Sequence, residues 1–136
     1  MNTDWEEAIV QGDATKVKLL LAQGAEVNAR DSYGQTALMR AAHKGDYQLA
    51  VILVEHGADL DVTAKYNLSA LMLAVIGGHT EVVRILVEAG ADLHIRGSKA
   101  VPGFYGKTAL ALARDAGRST IVQILIARLT HLPSSK

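Results

Sequence analysis

The segment Val101-Pro102-Gly103-Phe104-Tyr105-Gly106-Lys107-Thr108 comes nearest to a ligand-binding motif in this 136-residue chain. A glycine, four spacers and Gly-Lys-Thr would let backbone N–H groups and a lysine cradle phosphates. Here Val101 stands where the first glycine belongs, and no buried strand is expected to lead into the loop. Phosphate binding is therefore not the expected chemistry. Three metal ligands must converge to roughly 2 Å from one ion, whereas His43, His56, His79, His94 and His131 are scattered along the sequence. The chain has no cysteine, which removes thiolate nucleophiles, disulfides and zinc thiolate sites together. Its serines have no evident base and orienting acid, so nucleophilic catalysis has no support. The expectation is a protein without catalytic, cofactor or metal residues.

What positions this loop is a repeat. Gly106-Lys107-Thr108-Ala109-Leu110 is the third copy of Gly34-Gln35-Thr36-Ala37-Leu38 and Asn67-Leu68-Ser69-Ala70-Leu71. Likewise Gly24-Ala25-Glu26-Val27 returns as Gly57-Ala58-Asp59-Leu60 and Gly90-Ala91-Asp92-Leu93. The interval is 33 residues, with six more inserted before the last copy. Units of this length cannot bury their apolar faces alone and must stack along one shared core. Leu38, Ala41 and Ala42 fall on one face of a first helix, and Leu49, Ile52 and Leu53 on one face of a second. Thr36, Ser69 and Thr108 are placed to cap first helices, and Thr3 with Glu6 reads as a capping box. Gly12, Gly45, Gly78 and Gly117 break the chain between paired helices, while Gly24, Gly57 and Gly90 end second helices.

Thr36-Ala37-Leu38-Met39-Arg40-Ala41-Ala42, Gly78-His79-Thr80-Glu81-Val82-Val83 and Gly57-Ala58-Asp59-Leu60-Asp61 resemble the ankyrin repeat, over essentially the whole chain. The resemblance implies an all-α repeat solenoid of antiparallel helix pairs with outward β-hairpin fingers, and a concave surface made by fingertips and first helices. It also implies a non-catalytic protein-binding module. The proline usual in that pattern is Ala37, Ala70 and Ala109 here, and the usual histidine is Met39, Met72 and Ala111. His79, at the Gly-His position, is structural by this resemblance. Asn67 replaces a fingertip glycine, tolerable because asparagine visits the left-handed region more readily than most residues with side chains.

The register divides one domain, 1–136, into a capping unit 1–33, a second unit 34–66, a third with the inserted finger 67–105, and a closing unit 106–136. Trp5 aligns with Leu38 and Leu71 and is expected in the core. The last helix carries Ile121, Val122, Ile124, Leu125, Ile126, Leu129 and Leu132, more than one inner face needs. It is expected to run past Leu129, stop before Pro133, and either cap the stack in a monomer or support weak self-association.

Lys plus Arg and Asp plus Glu are 14 each, so no global field favours nucleic acid or an anionic membrane. The register nevertheless gathers Arg30, Arg40, Lys44, Lys65, Arg96, Lys99 and Lys107 on fingertips or the groove side of first helices. If that bias is functional, it steers an acidic peptide or protein patch. Tyr33, Tyr66 and Tyr105 share one fingertip position, and tyrosine concentrates in binding hot spots. Leu73 and Ile76 make an apolar groove centre beside Arg40, His43 and Lys44. The expected partner-binding set is therefore Tyr33, Arg40, His43, Lys44, Lys65, Tyr66, Leu73, Ile76, Lys99, Phe104, Tyr105 and Lys107. The expected function is an adaptor or inhibitor that binds a protein or peptide. The alternative is a binder of a small anionic ligand or nucleic acid across basic fingers. No apolar run approaches a membrane span, and the start lacks the basic and apolar regions of a signal peptide, so a cytoplasmic location is the expectation.

Overall fold

A computed structural model describes residues 3–98 and 102–130, so Lys99, Leu132 and Pro133 lie outside the described residues. Among the described residues, eight α-helices form four consecutive pairs. These are α1 (Thr3–Gln11) with α2 (Ala14–Ala22), α3 (Ala37–Lys44) with α4 (Tyr47–Glu55), α5 (Ala70–Gly77) with α6 (Thr80–Glu88), and α7 (Ala109–Asp115) with α8 (Ser119–Thr130). The odd-numbered helices stack into one layer and the even-numbered helices into a second. One hydrophobic cluster runs through both layers from Trp5 to Leu125.

Three first helices, α3, α5 and α7, start where a hydroxyl replaces a missing backbone partner. Thr36, Ser69 and Thr108 accept the N–H groups of Met39, Met72 and Ala111 at 3.2, 3.3 and 3.3 Å. Asp13 and Asp46 do the same for α2 and α4, accepting from Lys16 and Leu49. The break after α3 requires glycine twice over. Gly45 has φ 77°, and a β-carbon there would lie 2.4 Å from the His79 ring of the next unit. Met39 and Met72 are buried and fill the core with apolar volume. Trp5 is 2% exposed, as its alignment with Leu38 predicts.

Three local features differ from the sequence reading. Among the described residues the fingers contain no β-strand. Each is closed by only one or two backbone bonds, such as Asp31 N–H to Gln35 O at 2.9 Å and Ala64 N–H to Leu68 O at 3.3 Å, too few for a ladder. The fingers are instead tied between units: Asn28 Oδ1 accepts the Asp59 N–H at 2.7 Å, and Asp61 Oδ1 the Asp92 N–H at 2.8 Å. Second, α1 takes Thr3 into its first turn, so Thr3 does not stand before the helix as a capping box requires. Third, Tyr66 joins Asn67 in the left-handed region, with φ 64° and 59°. Asparagine there was expected; the tyrosine was not.

Helix α8 passes Leu129 and reaches Thr130. It buries Ile121 and Leu125 and leaves Val122, Ile124, Ile126 and Leu129 half-buried. No helix among the described residues is long and apolar enough to cross a membrane.

Candidate partner-binding surface

The first helices pack through one face, which leaves every third or fourth side chain on the other side. On α3 these are Arg40, His43 and Lys44; on α5, Leu73, Ile76 and Gly77. Val10 holds the equivalent place on α1 and is 46% exposed. Two fingertips touch this row: Asp31 pairs with Arg40 of α3, and Lys107 with Asp115 of α7.

The cations on that side are largely engaged within the chain. The Arg40 guanidinium lies 2.5 Å from the Asp31 carboxylate, whose side chain is 1% exposed. Asp31 also accepts the N–H groups of Tyr33 and Gln35 at 2.8 and 3.0 Å. Burial opposes ionisation of Asp31, but the Gln35 and Tyr33 donors and the Arg40 charge outweigh it and hold its pKa below the ordinary value. Lys107 pairs with Asp115, and Arg96 donates to the Gly106 carbonyl at 2.6 Å. The near-motif Gly-Lys-Thr thus has its lysine tied to a carboxylate and its threonine tied to a helix end.

A second use of cationic and ring donors runs between units. Lys44 Nζ donates to Val10 O at 2.7 Å, His79 Nε2 to His43 O at 3.0 Å, and Arg118 Nη2 to Ile76 O at 3.1 Å. These three carbonyls are equivalent: each lies near the C-terminal end of a first helix, where backbone acceptors lack intrahelical partners. The next unit satisfies each one. His79 is accordingly a strut between units.

The tyrosines divide. Tyr33 is 79% exposed and Tyr105 55%. Tyr66 is half-buried, its ring 6.0 Å from that of Phe104, with Lys65 Nζ 5.0 Å from its centroid. Its carbonyl accepts the Ser98 N–H at 2.7 Å. The structure therefore brings Tyr66, Phe104 and Lys65 together, Arg40 to Asp31, and Lys107 to Asp115. Leu73 and Ile76 are half-buried and pack against the core. His43, Lys44, Tyr33 and Tyr105 are exposed.

Sequence reasoning missed Asp31 and Val10. Asp31 had a signal: it is the acid in a fingertip where the next unit has Ala64, and its partner Arg40 is replaced there by Leu73. Val10 could have been found by carrying the positions of His43 and Ile76 back one unit.

Among the described residues no group of three His, Asp or Glu is placed to hold a metal ion. The surface offers apolar contact and tyrosine hydroxyls. No individual curated protein matches the chain significantly. The family model for ankyrin repeats, in three copies, matches residues 6–97, which span the first three helix pairs. Ankyrin repeats are generic protein-interaction modules, and this chain belongs to the ankyrin-repeat family.

Proposed function

We propose that the chain is a non-catalytic adaptor or inhibitor that binds a protein partner across its fingertips and first helices. The observation that carries this reading is the exposure of Tyr33 and Tyr105, at 79% and 55%, together with the half-buried Leu73 and Ile76 on the outer side of α5. Aromatic anchors around a small apolar centre are the composition of an interface core, where a few residues supply most of the affinity. Partner acidity enters through the exposed His43 and Lys65, and acts more on association rate than on final affinity.

The alternative, an anionic ligand or nucleic acid held across the fingers, needs free cations. Arg40, Arg96 and Lys107 already serve internal acceptors, which disfavours it. Once a partner has been captured, calorimetry at rising salt separates the two. A protein interface of this kind should weaken modestly, whereas phosphate contacts lose affinity steeply through counterion release. The double variant Tyr33→Ala/Tyr105→Ala should weaken partner binding by about 2 kcal/mol or more while folding normally. Unchanged affinity in that variant would move the binding face elsewhere.

A further inference from the structure

At the α1–α2 end of the stack, Trp5, Leu20, Gln23, Gly24, Ala25, Glu26 and Ala29 line an open-sided cavity of about 500 Å³. The internal repeats show what this place is. In the second unit, Leu53 and Ala58 correspond to Leu20 and Ala25, and are 0% and 9% exposed because the first unit covers them. Leu20 and Ala25 remain half-exposed, and Leu19 is 52% exposed where its counterpart Ile52 is 4%. Two hydrogen-bond donors are also left over. Asp59 and Asp92 each donate a backbone N–H to Asn28 or Asp61 of the preceding unit. The equivalent Glu26 N–H has no acceptor among the described residues. The buried Trp5 Nε1–H has none either.

We propose that this end is a second docking seat, distinct from the fingertip surface, for a short peptide segment of another protein that presents an asparagine side chain. The asparagine oxygen takes the Glu26 N–H as Asn28 takes that of Asp59, and a small apolar neighbour covers Leu20 and Ala25. Asparagine is favoured over aspartate because Glu26, an acidic residue, is among those that line the same cavity. A further complete helix pair is excluded as occupant by Lys16, which stands where the second unit buries Leu49 at 1% exposure. Stacking a helix there would bury an unpaired ammonium. A second copy of this chain is disfavoured because its own Asn28 and Asp61 already serve Asp59 and Asp92.

The test uses an acetylated, amidated peptide with the sequence of residues 24–29, which carries Asn28. Titrated into the isotope-labelled chain, it should shift the Glu26 amide and the Trp5 indole resonances saturably, in the range of about 1 mM. Replacing the peptide's asparagine by alanine should weaken binding about fivefold, the loss of one hydrogen bond. Ala25→Leu in the protein should close the cavity and abolish the shifts, with circular dichroism confirming the fold. Tyr33→Ala should leave them unchanged. Equal binding of both peptides, shifts confined to Tyr33 and Leu73, or no shift at either reporter would each overturn the seat. The peptide comparison decides the matter even if Ala25→Leu does not fold.

Discussion

The fingertips at residues 31–35 and 64–68 occupy the same place in successive units and are held by opposite means. The first is self-contained. A buried carboxylate, Asp31, collects the N–H groups of Tyr33 and Gln35 and the guanidinium of Arg40. The second has Ala64 and Leu73 at those positions and no such pair. It bends through two left-handed residues and leans on the enlarged finger after it: Ser98 donates to Tyr66 O, Asn67 Nδ2 donates to Arg96 O, and Phe104 packs on Tyr66. Closing a finger from within leaves its tyrosine exposed. Closing it by a neighbour uses the tyrosine as packing. Identical register therefore does not confer identical surroundings on Tyr33 and Tyr66.

The largest effect tests whether the two fingers share one foundation. Trp5→Ala should cost about 3–5 kcal/mol, the usual loss for a deleted core aromatic. Hydrogen exchange should then show both fingers losing protection together. Loss confined to the first finger would mean that the first unit frays alone and the fingers are independent.

Next comes the pair that distinguishes them. Asp31→Ala should cost about 2–3 kcal/mol, because two backbone donors and a guanidinium lose their acceptor. Asp31→Ala/Arg40→Leu, which copies the second finger, should recover to within about 1 kcal/mol of the parent, so a double-mutant cycle by chemical denaturation reads the coupling. The same carboxylate sets a pH dependence. Its folded-state pKa is depressed, so its stabilisation is fully present above about pH 4 and is lost as pH falls through the folded value. The Tyr33 and Gln35 amide resonances should titrate in that acid range, while those of Asn67 and Leu68 stay still. Titration of the second finger alone would reverse the assignment.

Phe104→Ala should cost about 1–2 kcal/mol, less than a fully buried phenylalanine, since its ring is half-buried. Exchange protection should fall at Ser98, whose N–H bonds Tyr66 O, and stay unchanged at Gln35. The smallest effect is Tyr33→Ala, expected to change stability by under about 0.5 kcal/mol, as exposed sites usually do. Tyr66→Ala should cost more than that. A melting temperature lowered equally by both would erase the distinction between an exposed anchor and a packed one.

Much of the fold was legible because repetition writes local rules several times. Thr36, Ser69 and Thr108 announce helix starts through hydroxyls that act three residues away. Gly45 and Gly78 announce breaks through backbone freedom that needs no partner. The apolar positions of α3 and α4 follow from helical period alone, and Trp5 was placed in the core by alignment with Leu38. The cations that the register gathers near fingertips and first helices were legible as composition, but not as availability. Lys44 finds its acceptor 34 residues back, His79 36 and Arg118 42, each in another unit. The expected β-hairpins show no strand among the described residues, because the backbone bonds within each finger are too few for a ladder and side-chain ties such as Asn28 to Asp59 and Asp61 to Asp92 join neighbouring units.

The sequence by itself determined the period, the helix pairs, their caps and the residues that fill the core, since these depend on side-chain chemistry within a turn or on one apolar face. Tertiary structure decided which cations remain free, which tyrosine is exposed, and where the stack leaves donors unused. Those outcomes depend on what the adjoining unit places within about 3 Å, a distance that spacing along the chain does not encode.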